Sequence, residues 1–211
     1  MKLYGYFRSS AAFRVRIALN LKGLAYDNAF IHLRKGEEFA QDYLRLNPQG
    51  IVPTLEDGSH VLTQSLAIIE YLEETYPEPA LLPKKPSERA RIRALALAIA
   101  CEIHPLNNLR VLEYLKSVFK VTPEQQEAWY KHWIADGFKA FEQMLAGGAT
   151  NRFCHGDTPS LGDVCLVPQV FNAQRFNCPL DDYPMLMRVF NECMQLDAFD
   201  RAQPSKQADA E

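Results

Sequence analysis

The segment PEPALLPKKP, residues 77–86, places four prolines in ten positions. No helix or inner strand can run through it, because each ring fixes φ and removes an amide donor. The 211-residue chain therefore divides into an N-terminal part, residues 1–76, a stiff linker, and a C-terminal part, residues 87–211. With 47% apolar and 23% charged residues, both parts have material for a core, and disorder is excluded. Lys plus Arg number 23 against 26 Asp plus Glu, a net charge of −3. Such a balance leaves no electrostatic footprint for nucleic acid. No run of about 18 apolar residues exists, so no membrane span is expected. The start, MKLYGYFRSS, lacks the long apolar stretch and small-residue cleavage site of a secretory signal. Cys101, Cys154, Cys165, Cys178 and Cys193 form no C-x-x-C pair. They predict neither a metal site nor a disulfide framework, and suit a reducing cytoplasm.

The first part alternates between two periods. Leu3–Phe7 is apolar on both faces apart from Gly5, as in a strand inside a sheet. Phe13, Ile17 and Leu21 then follow at helical spacing from Ala11, with Gly23 as a stop. A strand is expected over 28–33 and a helix over 37–46. Asp57-Gly58 between residues 52–55 and 59–62 is a hairpin signal. Leu66, Ile69 and Leu72 mark a last helix ending near Tyr76. The predicted order is β-α-β-α-β-β-α, an α/β domain followed by an all-α one.

Everything after the linker reads as helix. The stretch 94–101 is apolar all round, as at the centre of a bundle, and Pro105 should kink it. Thr122-Pro123-Glu124-Gln125 is a capping box with proline at the first helical position. Ser160-Leu161-Gly162-Asp163 is a second box with Asp in the place of Glu or Gln. Residues from Ala202 onward are polar and expected to fray.

Four constellations could carry chemistry. Arg8-Ser9-Ser10 lies between the buried strand and the first helix, where a hydroxyl beside backbone N–H groups would stabilise an anion or thiolate. Either serine could equally serve only as a cap. Val52-Pro53 opens a strand-like run; its proline can be cis and can leave backbone available to an extended ligand. Gln64-Ser65 starts the third helix without the Glu of a capping box, since position 68 is Ile. An anion is reasonable there too. Finally, His104 and Asn108 stand at i, i+4, while Arg110 and the distant Arg175 could each grip a carboxylate in a bidentate fork.

FRSSAAFRVRIALNLKG at 7–23, NPQGIVPTL at 47–55, QSLAIIEYLEE at 64–74, IHPLNNLRVLEYL at 103–115 and GDTPSLGDVCLVPQV at 156–170 together resemble the zeta class of the glutathione transferases. The resemblance spans essentially the whole chain. It implies a thioredoxin-like N-terminal domain, a helical-bundle C-terminal domain, glutathione as cofactor and a homodimer. By resemblance Ser9 faces the glutathione sulfur, with Ser10 beside it. Val52, before Pro53, pairs with the peptide backbone, and Gln64 and Ser65 hold its γ-glutamyl carboxylate. Gln49, Glu38 and Arg14 fall at positions associated with the peptide. His104, Asn108 and Arg110 fall on the active-site segment of the central helix. Arg8 and Arg175 match arginines that hold acidic substrate groups. The sequence departs from the class at Ala11, Ala12 and Phe13, where Cys, Ser and Trp are usual.

The activity so implied is glutathione-dependent cis–trans isomerisation of maleylacetoacetate or maleylpyruvate. A transferase conjugating haloacids or other electrophiles would use the same thiolate, and an idle interaction module would need none of these residues. The arginines and His104 suit a small acidic substrate and favour the isomerase.

Overall fold

The computed structural model describes residues 1–211. The chain forms two compact units, one of residues 1–81 with 194–211 and one of residues 82–193.

In the first unit, β1 (Lys2–Gly5) leads into α1 (Ser10–Leu21), then β2 (Asp27–Phe30), two short 3-10 turns and α2 (Gln41–Leu46). The hairpin of β3 (Thr54–Asp57) and β4 (His60–Thr63) follows, and α3 (Ser65–Thr75) closes the expected order. The sheet order is β2-β1-β3-β4. β1 pairs parallel with β2 and antiparallel with β3 and so lies inside the sheet, but only one of its faces is fully buried: Leu3 and Gly5 are buried, whereas Lys2 is exposed and Tyr4 half-buried. Small residues let α1 approach this strand: a Cβ on Gly5 would lie 3.3 Å from that of Ala12. That close approach gives a packing reason for alanine at position 12.

Three expectations shift in detail. The hairpin loop is Gly58-Ser59 rather than Asp57-Gly58, because Asp57 pairs with His60 and Gly58 takes the φ of +58°. The helix expected from residue 37 starts only at Gln41. Gly36, at φ +73°, first turns the chain through 3-10 geometry. The frayed tail is overturned. Ala202 is fully buried and its carbonyl accepts from Arg16 Nε at 2.9 Å, Pro204 is buried at the start of a 3-10 turn over Pro204–Lys206, and just before them α9 (Asp197–Asp200) packs on α1. Polar composition misled here because backbone carbonyls, not side chains, make several of the anchoring contacts. Residues 194–211 thus group with the first unit, not with the helices that precede them.

The second unit is helical: α4 (Pro86–Leu97), α5 (Leu109–Ser117), α6 (Pro123–Ala146), α7 (Leu161–Arg175) and α8 (Pro184–Met194, its last residue in the first unit). α4 does not run on to Pro105. It widens into a π-helix over Ala98–Ile103, closed by His104 N donating to Ile99 O at 2.9 Å, and the chain then turns before α5. Gly137 on α6 makes room for this bulge, since a Cβ there would sit 2.3 Å from Ile103 Cδ1. The Thr122 box forms as expected, with Gln125 N donating to Thr122 Oγ1 at 3.2 Å and Thr122 N to Gln125 Oε1 at 2.8 Å. At the second box, Ser160 N and Oγ both donate to Asp163 Oδ2, at 2.8 and 2.7 Å.

Candidate active site

The first unit gathers its candidates at the ends of α1, β3 and α3. Ser9 is the N-cap of α1, its Oγ accepting from Ala12 N at 3.2 Å. Capping uses a lone pair and leaves the O–H available to donate, so the cap and the chemistry coexist in one hydroxyl. Ser10 is the first residue of the helix and is buried. Of the two serines, Ser9 is the more accessible. Arg8 lies half-buried over the Phe7 ring, 4.8 Å from its centroid.

The Val52–Pro53 peptide is cis. β3 begins its pairing only at Thr54, so the Val52 backbone lies beyond both ladders. Two residues that the sequence reading missed hold this loop from behind. Tyr43 Oη donates to Ile51 O at 2.6 Å, and the buried Asn47 donates Nδ2 to the same carbonyl at 2.7 Å. The turn-forming run Asn47-Pro48-Gln49-Gly50 was the available signal for Asn47; nothing local pointed to Tyr43. Gln49 N donates to Asn47 Oδ1 at 3.1 Å, and Gln49 Oε1 accepts from Gln64 Nε2 at 2.7 Å. Gln49 and Gln64 are thus joined.

Gln64 itself stands at φ +68°, ψ 116° immediately before α3. A positive φ in a residue with a Cβ costs on the order of 1–3 kcal/mol and persists only where the surroundings enforce it. Its side chain makes no cap for α3, so the first-turn N–H groups remain a donor nest beside the Ser65 hydroxyl. The buried Arg14 guanidinium approaches that hydroxyl, Nη1 to Oγ 3.4 Å. Glu38 is also buried, and its Oε2 has no protein partner.

The second unit holds the other candidates. His104 closes the π-helix, and Asn108 caps α5 by accepting from Arg110 N at 3.1 Å. Their pairing survives, Asn108 Nδ2 to His104 Nε2 3.5 Å, but across a turn rather than along the regular helix that the i, i+4 spacing suggested. Asn107 ties this turn to α6, donating Nδ2 to Tyr130 O at 3.2 Å. Arg110 is exposed in the first turn of α5. Arg175, the last residue of α7, is exposed and lies over Phe176, 4.8 Å from its centroid. Phe176 in turn stacks on Tyr130 at 3.7 Å. Burial pushes the Tyr130 hydroxyl far up, so it stays protonated beside Arg175.

This assembly has known counterparts. Residues 1–74 match the family model for the glutathione S-transferase N-terminal domain, and residues 127–192 the model for its C-terminal domain. A probable maleylacetoacetate isomerase of Vibrio cholerae is 50% identical over 210 residues, 99% of this chain and 97% of that one. A solved structure of maleylpyruvate isomerase, described as a bacterial glutathione S-transferase of the zeta class in its holo form, superposes with a TM-score of 0.98. The two are 48% identical and cover each other fully. A maleylacetoacetate isomerase of Methylobacterium extorquens AM1, solved with bound malonate and glutathione, gives a TM-score of 0.97 at 44% identity, again over all of both chains. Agreement of this extent, with the cap serine, the cis-proline loop and the strained Gln64 in place, makes the chain a member of the zeta class of the glutathione S-transferase family.

Proposed function

We propose that this protein is a glutathione-dependent cis–trans isomerase of maleylacetoacetate or maleylpyruvate. The observation that carries the reading is the Methylobacterium isomerase of near-identical fold, which holds a dicarboxylate together with glutathione. The residues of this chain fit the same cofactor. The Val52 backbone, outside both strand ladders, suits an extended peptide, and the donor nest at Gln64-Ser65, backed by Arg14, suits a carboxylate. The unpartnered Glu38 oxygen, an acceptor only, suits an ammonium.

Bound glutathione supplies a thiolate that adds reversibly to the cis double bond and makes it single long enough to rotate. The protein's part is to hold that charge and to hold the acid. Ser9 donates its O–H toward the sulfur while the α1 N-terminus adds favourable potential. An ordinary thiol, with a pKa of about 8.5, is only a few per cent ionised near pH 7, and each unit of depression corresponds to about 1.4 kcal/mol. In this reading Arg8 and Arg175 are the arginines that hold the substrate carboxylates, with Arg110 the alternative partner, and His104 and Asn108 are polar groups of the active-site segment. Two further assignments rest on the family and on composition. The protein is a homodimer, as family members typically are, and it is cytoplasmic, with all five cysteines unbridged and no helix long and apolar enough to cross a membrane.

Spectrophotometric assay of both substrates with and without glutathione tests the activity. Isomerisation that needs glutathione yet does not consume it is expected. Stoichiometric consumption of glutathione with a haloacid, and no isomerisation, would establish the transferase instead. Ser65→Ala should weaken glutathione binding by about 1–3 kcal/mol, the cost of losing a hydrogen bond to a charged group. Equal affinities by calorimetry would reduce Ser65 to a part of the helix end.

Single replacement of Arg8, Arg110 and Arg175 by Ala, at saturating glutathione, tests the clamp. The Arg8 and Arg175 variants should raise KM for a dicarboxylate by roughly tenfold or more while sparing a neutral electrophile, which never made the bidentate contact. Equal losses on both substrate types would sink the clamp.

A further inference from the structure

The turn that presents Arg8 and Ser9 spans Tyr6–Ser9 and is closed by Ser9 N donating to Tyr6 O at 2.9 Å. Between its ends, both polar groups of the Phe7 backbone are held by the far end of the chain or by a residue tied to it. Phe7 N donates to Asp209 Oδ2 at 3.0 Å. Phe7 O accepts from Arg16 Nη2 at 3.0 Å, and Nε of the same guanidinium donates to the Ala202 carbonyl at 2.9 Å. One buried arginine therefore links the turn to the tail. Burial pulls that guanidinium down to about 10, and the Asp209 charge works against the fall. The tail is fastened beyond this point too, since Glu211 Oε1 lies 2.5 Å from His32 Nε2 in the same unit.

Phe7 is buried and its N–H lies past the end of β1, so no strand neighbour is available to accept from it. A carboxylate acceptor gives that N–H a charge-assisted bond, stronger and more directional than a neutral one. Only one residue separates Phe7 from Ser9. A rotation of the Phe7 peptide therefore re-aims the Ser9 hydroxyl and the Arg8 side chain together.

We propose that Asp209 is a positioning residue for this active site: from the C-terminal tail it holds the Phe7 N–H and thereby fixes the turn that aims Ser9 and Arg8. The proposal rests on the reading of Ser9 as the hydroxyl that serves the glutathione sulfur. It assigns the last residues of the chain a part in catalysis without contact to the reactants.

Asp209→Ala and Asp209→Asn test it, because asparagine keeps an acceptor oxygen where alanine has none. Amide hydrogen exchange without glutathione should speed up at Phe7 and Ser9 by about tenfold in Asp209→Ala, the signature of a locally loosened turn. The ultraviolet absorbance of enzyme-bound thiolate should then titrate at higher pH, and kcat/KM should fall by about tenfold, as misaimed groups lose rate. The KM for glutathione should not change, and Asp209→Asn should restore all three readouts. Wild-type exchange at Phe7 and Ser9 in Asp209→Ala would overturn the proposal. So would a loss of activity that follows Tm and is not restored by asparagine. A Ser9→Ala protein measured beside them separates the two claims. If its thiol titrates as in the wild type, the role of Ser9 fails, whereas the exchange rates still decide the role of Asp209.

Discussion

Ser9→Ala should slow isomerisation between about tenfold and a hundredfold, the range set by losing one hydrogen bond to a charged group. Glutathione affinity should change little, because the hydroxyl acts on the sulfur and not on the peptide's carboxylate. The geometry adds a complication, since the same oxygen caps α1 through Ala12 N. Removing a cap costs about 0.5–2 kcal/mol of stability, so Ser9→Ala should also melt slightly earlier. Ser9→Asp separates the two roles. Aspartate caps a helix as well as serine does, but it offers no O–H and sets a negative charge beside the thiolate. That variant should keep its Tm and be at least as inactive as Ser9→Ala. Normal turnover in Ser9→Ala with a slow Ser10→Ala would move the hydroxyl's role to Ser10.

Asp163→Ala should be strongly destabilising although the residue lies outside the candidate site. Its carboxylate is fully buried and receives Ser160 N and Oγ on one oxygen and Cys154 N, at 2.8 Å, on the other. The residue therefore does more than complete a cap: it ties the loop at Cys154 to the start of α7. Burial pushes its carboxyl up from the ordinary value, and those donors pull it back. Alanine would strand these three donors, and the weaker Cys193 thiol 3.7 Å from the same carboxylate, in a fully buried place. At about 1–3 kcal/mol for each stranded group, a loss of roughly 3 kcal/mol or more is expected. Thermal denaturation reads it directly, since about 1 kcal/mol shifts the midpoint of a chain of this size by roughly 2–4 °C. A protein of normal stability and lost activity would show instead that Asp163 belongs to the chemistry.

The sequence by itself settled the features that neighbours along the chain decide. The proline run marks a break in the pattern of periods, and the chain passes from the first unit to the second inside it, at 81–82. The Thr122 box needed only residues three apart, and the alternation of periods was enough for the order of strands and helices. Ser9, Ser10, Val52, Gln64 and Ser65 stood out as candidates because each stands where an element begins, and the start of an element is marked locally by caps, prolines and changes of period. Side-chain pairing decided the rest. Within the cis-proline loop, nothing local marked Tyr43, eight residues before the Ile51 carbonyl that it and Asn47 both hold. The π-helix before His104 exists where Gly137, 34 residues from Ile103 in sequence, leaves room for it. The tail looked frayed because its residues are polar. Its order comes from the Arg16 guanidinium and the Phe7 N–H, groups 186 and 202 residues away from their partners. Composition shows what a segment could bury or bond, but only the tertiary structure supplies the partner.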